Sequence, residues 1–475
     1  MRRFFITFFC ALPMIHATHL DAQNLPNRWQ TIDGQPRLII GMYEQVADDA
    51  LLADLAAAGF NLVNTRDDPA RLDQLHRHGL RGWVNLGGDL ALPPPGADTE
   101  KAAALTARVN RVKDHPALLV WEAPDEPLWN VWYRRLNEYW AVLEALKKRI
   151  EKLEGDARAE LQVLMDRSDE LHRRGYLDEA DELLAEVWKK IGEDSPQNPP
   201  KWTDVKRRAV EYGDELTRGF ELVKKLDPDG IRWINHAPRN SIAALRHYNR
   251  AVEMAGCDIY PVPMRPPSGH SDLVDQSLSS VGAYTRRMAA GAPGKSVAMV
   301  LQGFAWKDIG QGHEGGEKRP TYRQTRFMAY DAMMSGAAAV LWFGTAYIPK
   351  DCDLWRDILA TARELRALEP AWTAPPLEGA VQGRAEETWG SDDGEGPALM
   401  LRRVDDDHVL IAHNATRFGL VFEVSGLPAA LEGRRLLRLD SDDERVVADG
   451  AFSDGIRSYD TQVYATSRRF EAQAR

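Results

Sequence analysis

A chain of 475 residues, 44% apolar and 28% charged, has the make-up of an ordinary soluble globular protein and is long enough for a large domain and a smaller one. Its formal net charge of −11, with no basic stripe anywhere, argues against a nucleic-acid or anionic-membrane partner, since both need a basic face. Past Ile15 no segment is long and apolar enough to cross a bilayer.

Arg2 and Arg3 precede an almost unbroken apolar run, residues 4–15, and Ala22 before Gln23 offers a small residue for cleavage. Residues 1–22 therefore read as a signal peptide, and the mature protein as secreted or periplasmic with no membrane span; an uncleaved anchor is the other reading. Cys257 and Cys352 are too few for a disulfide framework and are expected to pack as small buried residues, with a bridge between them left open.

From Arg37 short apolar runs alternate with helical patterns. Strands are predicted at 38–43, 61–64 and 82–86, followed by helices at 48–58, 69–78 and 99–113, with Gly59 and Gly79 closing the first two. The fourth strand, 117–121, is bounded by prolines and runs into three carboxylates, Glu122, Asp125 and Glu126. Between 129 and 200 the pattern breaks. Leu136, Trp140, Leu143, Leu146, Ile150 and Leu153 recur at spacings of three and four amid dense charge, which predicts a helical hairpin or small bundle. Helix 203–225 then leads to strand 231–236, helix 242–255, strand 257–261, helix 273–290, strand 297–302, helix 321–335, strand 338–343 and helix 354–368. Eight strands in strict alternation with helices predict a closed (β/α)8 TIM barrel, an α/β fold; the doubly wound open sheet is the alternative. After Pro370, Pro375 and Pro376 short alternating strands with Asp/Gly turns predict an antiparallel β-sandwich. The expected domains are a barrel over 23–375, carrying the insert 129–200, and a sandwich over 376–475.

The run His115-Pro116-Ala117-Leu118-Leu119-Val120-Trp121 followed by Asp125-Glu126-Pro127 resembles the fourth strand of retaining (β/α)8-barrel glycoside hydrolases, whose Asn-Glu pair there carries the acid/base. Asp33-Gly34-Gln35-Pro36, Asp258-Ile259-Tyr260-Pro261, Gly336-Ala337-Ala338 and the trailing sandwich add to the likeness, which spans Asp33 to the C-terminus without the insert. Two positions depart from it. Asp125 stands where the family has Asn, and the seventh strand ends in Gln302, not the nucleophilic Glu. The Asp-Glu pair is also similar to that of substrate-assisted barrel hexosaminidases. That likeness implies Asp125 orienting an acetamido nitrogen, Glu126 as acid/base and a Tyr holding the carbonyl.

The resemblance implies a hydrolase acting on a carbohydrate, with no cofactor. Glu126 is the candidate general acid, because a neighbouring carboxylate and apolar surroundings both raise a carboxyl pKa; an N-terminal helix cap is the structural alternative. Asp125, Asp258, Glu44 and Glu122 are candidates for the second carboxylate. Arg66, Asn85, Asn235, His236, Tyr260 and Gln302 stand at predicted strand ends, where they can reach sugar hydroxyls. Trp121, Trp306 and Trp342 offer stacking faces or packing. No histidine pair has metal-ligand spacing, so no metal is expected. The insert walls one side of the cleft, mediates oligomerisation or merely decorates the surface. Two other functions stay open: a carbohydrate-binding barrel without turnover, which Gln302 permits, and a polysaccharide lyase with Tyr260 as base.

Overall fold

The computed structural model describes residues 28–472 apart from 98, 196–199, 265–276, 312–314, 378, 380 and 389–394; the expected signal peptide lies outside them. Eight parallel strands close into a barrel: β1 (Ile39–Gln45), β2 (Leu62–Thr65), β3 (Arg81–Asn85), β4 (Leu118–Glu122), β5 (Ile231–His236), β6 (Met254–Ile259), β7 (Ser296–Gln302) and β8 (Ala339–Phe343). Each pairs with the next, and β8 pairs back onto β1. Successive side chains of a strand point to opposite faces. Ile39, Leu62, Trp83, Val120, Trp233, Val300 and Leu341 accordingly share one buried cluster inside the ring. Trp121 and Ile234, of the opposite parity, pack in a different cluster among the surrounding helices. Gly256 of β6 is required by close approach, since a Cβ there would lie 1.9 Å from the Ala298 carbonyl oxygen.

The chain wraps this ring with α1 (Asp49–Ala57), α2 (Pro69–Arg77), α3 (Thr99–Asn110), α4 (Pro127–Ile150), α5 (Gly155–Arg173), α6 (Leu177–Ile191), α7 (Trp202–Leu226), α8 (Ile242–Tyr248), α9 (Ser280–Gly291), α10 (Tyr322–Met334) and α11 (Asp353–Ala367). The insert is the far part of α4 with α5 and α6, closed around Leu143, Leu146, Leu161, Leu184 and Val187. It differs from expectation in two ways. Helix α4 begins at Pro127, directly after Glu126, and Trp140, of the predicted apolar stripe, is 46% exposed. The helix expected to reach residue 255 stops at Tyr248, and β6 starts at Met254 rather than 257. The apolar residues there are needed as strand, because Met254 pairs with Trp233 on one side and Ser296 on the other.

Beyond the barrel lie a three-stranded and a five-stranded antiparallel sheet. Leu399 and Leu410 of the larger sheet and Phe422 of the smaller one share a buried core. The larger sheet also packs on the barrel through a polar network. Arg326 of α10 donates to Glu364 (2.6 and 2.8 Å) and to the Thr461 carbonyl (2.6 Å), while His413 reaches Asp331 at 3.1 Å. Cys257 and Cys352 are both free, so the bridge left open by the sequence is not formed. Among the described residues no helix is long and apolar enough to cross a membrane.

Candidate active site

At the C-terminal end of β4 the backbone is bent sharply. Pro127 occupies the first turn of α4, where its missing N–H costs nothing and its ring disfavours αR geometry at the preceding residue. Glu126 adopts φ 45° and ψ 49°, a left-handed conformation that costs a non-glycine residue roughly 1–2 kcal/mol. Its N–H donates across to the Asn235 carbonyl of β5 at 3.1 Å, which fixes the bend. The side chain makes no capping hydrogen bond to the helix. Instead its carboxyl is bonded to Asp258 at the end of β6. Burial first, and the charge of Asp125 second, push the Glu126 carboxyl up to about 7.

The inward parity of the strands brings further polar groups to the same place. Following Trp83, Val120 and Trp233 by two residues are Asn85, Glu122 and Asn235. Glu122, 1% exposed, accepts a hydrogen bond from Asn85 Nδ2 at 2.6 Å, and its other oxygen lies 2.6 Å from Tyr43 Oη. Burial and then the Asp125 charge hold its carboxyl well above the usual range. Asp125 is exposed; its Oδ1 lies 2.7 Å from Tyr43 Oη and accepts from Asn235 Nδ2 at 3.0 Å. Asp258 is buried and bonded to Glu126 and to the Tyr260 hydroxyl. Burial, then the neighbouring Glu126 and Asp125, raise its carboxyl well above the ordinary value. Tyr43 stands on an aromatic floor, its ring 4.9 Å from Trp83 and 5.5 Å from Trp233.

Asn85, Glu122, Asp125, Glu126, Asn235, Asp258 and Tyr260 thus converge, and Tyr43, which sequence reasoning placed only on a strand, joins them. Its signal was the alternation Ile39-Gly41-Tyr43. Other candidates lie elsewhere. Glu44 turns to the loop after β8, where its two oxygens accept from Gly344 N (2.8 Å), Thr345 Oγ1 (2.6 Å) and Ala346 N (2.8 Å). Gln302 is fully buried, its amide bonded to the N–H (2.9 Å) and carbonyl (2.8 Å) of Val262 and to the Phe304 carbonyl (3.0 Å). His236 faces outward to Asn249 at 2.9 Å, and burial lowers its pKa to about 4. Trp121 and Trp342 are buried against the helices, Trp121 donating to Asp227 at 2.6 Å. Arg66 is exposed and donates to Gln45 at 3.2 Å. Trp306, 9% exposed, packs with Tyr260 and Phe304 on one side of the cluster. Among the described residues no group of three or more His, Cys, Asp or Glu is arranged to hold a metal ion.

No protein-family model matches the chain, and no curated protein sequence matches it. Solved structures do match. A β-galactosidase from Bacillus circulans sp. alkalophilus superposes with a TM-score of 0.50 at 11% identity, over 92% of this chain and 100% of that one. A glycoside hydrolase family 5 protein from Bacteroides vulgatus gives 0.49 at 12%, over 92% and 91%. A β-galactosidase from the psychrophilic Marinomonas ef1 gives 0.41 at 14% over 70% of this chain, which spans only 60% of that protein's length. At such identities the likeness is one of fold: the chain has the closed (β/α)8 barrel of glycoside hydrolases, followed by antiparallel sheets.

Proposed function

We propose that the protein is a glycoside hydrolase with Glu126 as its general acid/base. One observation carries this reading: a half-buried carboxyl, raised to about 7, at the C-terminal end of the fourth barrel strand on a backbone bent to present it. Glycoside cleavage needs a proton donor for the leaving oxygen near neutral pH. A carboxyl of ordinary pKa is about 0.3% protonated at pH 7, and one at 7 about half protonated, so the surroundings of Glu126 multiply the competent acid by about 150. After donation the carboxylate can take the proton of an incoming water.

Asp258 shares a hydrogen bond with Glu126, closer than the 5–5.5 Å of a nucleophile pair or the 6.5–9.5 Å of an inverting pair. Its part in this mechanism is therefore to tune Glu126. Gln302 cannot attack an anomeric carbon, and its amide is already used on backbone groups. The exposed Asp125 is anchored on one oxygen by Tyr43 and Asn235. It suits a substrate-assisted route, in which the aspartate orients a 2-acetamido group whose own oxygen closes on the anomeric carbon. Export through residues 1–22 to the periplasm or medium belongs to the same proposal. A carbohydrate-binding barrel without turnover is the second reading, favoured by Gln302. A panel of aryl glycosides separates the possibilities. Release from acetamido sugars alone supports substrate assistance, and release from plain hexosides requires another nucleophile. Binding without release selects the second reading.

A further inference from the structure

Tyr43 stands between two carboxyl groups, and a hydroxyl carries one proton. Its Oη lies 2.6 Å from Glu122 Oε1 and 2.7 Å from Asp125 Oδ1. With both carboxyls ionised, Tyr43 could donate to only one, and the other contact would press two oxygens together with no proton between them. At least one of the acids must therefore carry a proton. Their surroundings decide which. Glu122 is 1% exposed, and its hydrogen-bond partners, Tyr43 and Asn85, are both neutral. Burying an ionised carboxyl there with no cation beside it is strongly disfavoured. Asp125 is open to solvent and holds a second donor, Asn235 Nδ2, at 3.0 Å.

We propose that Glu122 is a neutral acid donating to Tyr43 Oη, and that Tyr43 gives its own proton to Asp125, holding Asp125 as the carboxylate beside Glu126. Tyr43 and Glu122 are then positioning residues: a proton stored in the barrel core sets the charge state at its mouth. The rest of the surroundings is consistent with this. Around Tyr43 the other rings are Trp83, Trp233 and Phe343, at 4.9, 5.5 and 6.2 Å, none of which titrates. Besides Tyr43 and Glu122, the titratable groups facing Asp125 are Glu126, Asp258 and Tyr260. Burial pushes the carboxyl of Glu122 and the hydroxyl of Tyr43 upward, the direction this proton count requires. The consequence for catalysis rests on the glycosidase reading, because the Asp125 charge helps to keep Glu126 near 7. The proton count does not depend on that reading.

The test is an infrared spectrum of the full-length protein at about pH 8, where ordinary carboxyls of pKa about 4 are ionised. The difference between wild type and Glu122→Gln should show a lost C=O stretch of a neutral carboxylic acid. Tyr43→Phe keeps the ring but removes the acceptor, so it should displace that same band. If Tyr43→Phe does not fold, Asp125→Asn replaces it, since removing the charge beyond the bridge also alters the Glu122 hydrogen bond. A Glu122→Gln difference without a neutral-acid band overturns the proposal, as does a band indifferent to the Tyr43 or Asp125 variant. In a protein that turns over a glycoside, Tyr43→Phe should also lower the alkaline limb of kcat/KM, which loss of packing alone would not do. The spectrum needs no turnover, so inactivity toward every glycoside would remove the proposed function and leave the proton count to stand or fall separately.

Discussion

Replacing Asp125 by Asn removes a charge while keeping the shape and the oxygen that faces Tyr43 and Asn235. Glu126 stands at about 7 against 4.5 for an ordinary Glu, with burial the larger cause and the Asp125 charge the second. The variant removes the second of the two raising causes, so the alkaline limb of kcat/KM should fall below about 7. The sign follows from the role: an acid must be protonated, so activity is lost as pH rises through the Glu126 pKa. With the limb at about 6, the protonated fraction at pH 7 would be about one tenth instead of about one half, a roughly fivefold loss beyond any change in the low-pH plateau. If Asp125 also orients the substrate, the plateau falls too. A full pH profile of wild type and Asp125→Asn on one substrate separates the two effects. A limb that stays at 7 or moves up would refute the electrostatic account of Glu126.

Glu126→Gln should cost about 10²–10⁴-fold in kcat/KM on glycosides with poor leaving groups and much less on activated aryl glycosides, which need no proton; equal losses on both would remove Glu126 as the acid. Folded Glu122 and Asp258 keep protons that the unfolded chain releases above about pH 4–4.5, so the folded state binds more protons there and stability should fall as pH rises. Glu122→Gln should flatten that fall in denaturant titrations; an unchanged slope would contradict a neutral Glu122. Arg326→Ala leaves the Glu364 carboxylate without its cation, with only the Tyr330 hydroxyl still donating to it among the described residues, and by the usual penalty for breaking a buried pair should cost about 3–5 kcal/mol, read by chemical denaturation; a loss under about 1 kcal/mol would show that the pair does not hold α10 to α11. Gly256→Ala drives a methyl group into the Ala298 carbonyl and should destabilise by about 3 kcal/mol or more, again by denaturation; a neutral effect would refute the tight β6–β7 approach.

The strand–helix alternation and the acids at the end of the fourth strand were legible because each rests on local pattern. What was not legible is which parity of each strand faces inward. Both faces of a parallel barrel strand are buried, one by the ring and one by the helices, so both read as apolar. Trp121, His236 and Trp342 were for that reason named as site candidates, although each faces the helices. The signal that separates the parities lies in the last inward position: Asn85, Glu122, Asn235 and Asp258 are polar, whereas their outward neighbours Val84, Trp121, Ile234 and Cys257 are not, His236 excepted. Tyr43 escaped notice because an aromatic residue gives that comparison no polar mark.

Gln302 and Glu44 mark where a reading of strand ends runs out. Gln302 has the inward parity of a catalytic residue, yet its amide holds the backbone of Val262, forty positions away in sequence. Glu44 sits beside Tyr43 at the barrel rim, yet its carboxylate secures a turn about three hundred residues further on. No local pattern encodes such partners. The same argument favours Glu126 among the acids: its backbone pays for a left-handed bend, yet among the described residues its side chain neither caps the helix nor pairs with a cation, and it hydrogen-bonds to another acid. Stability alone gives no reason to keep a carboxyl in that setting, since a satisfied cap or an ordinary loop residue would cost less.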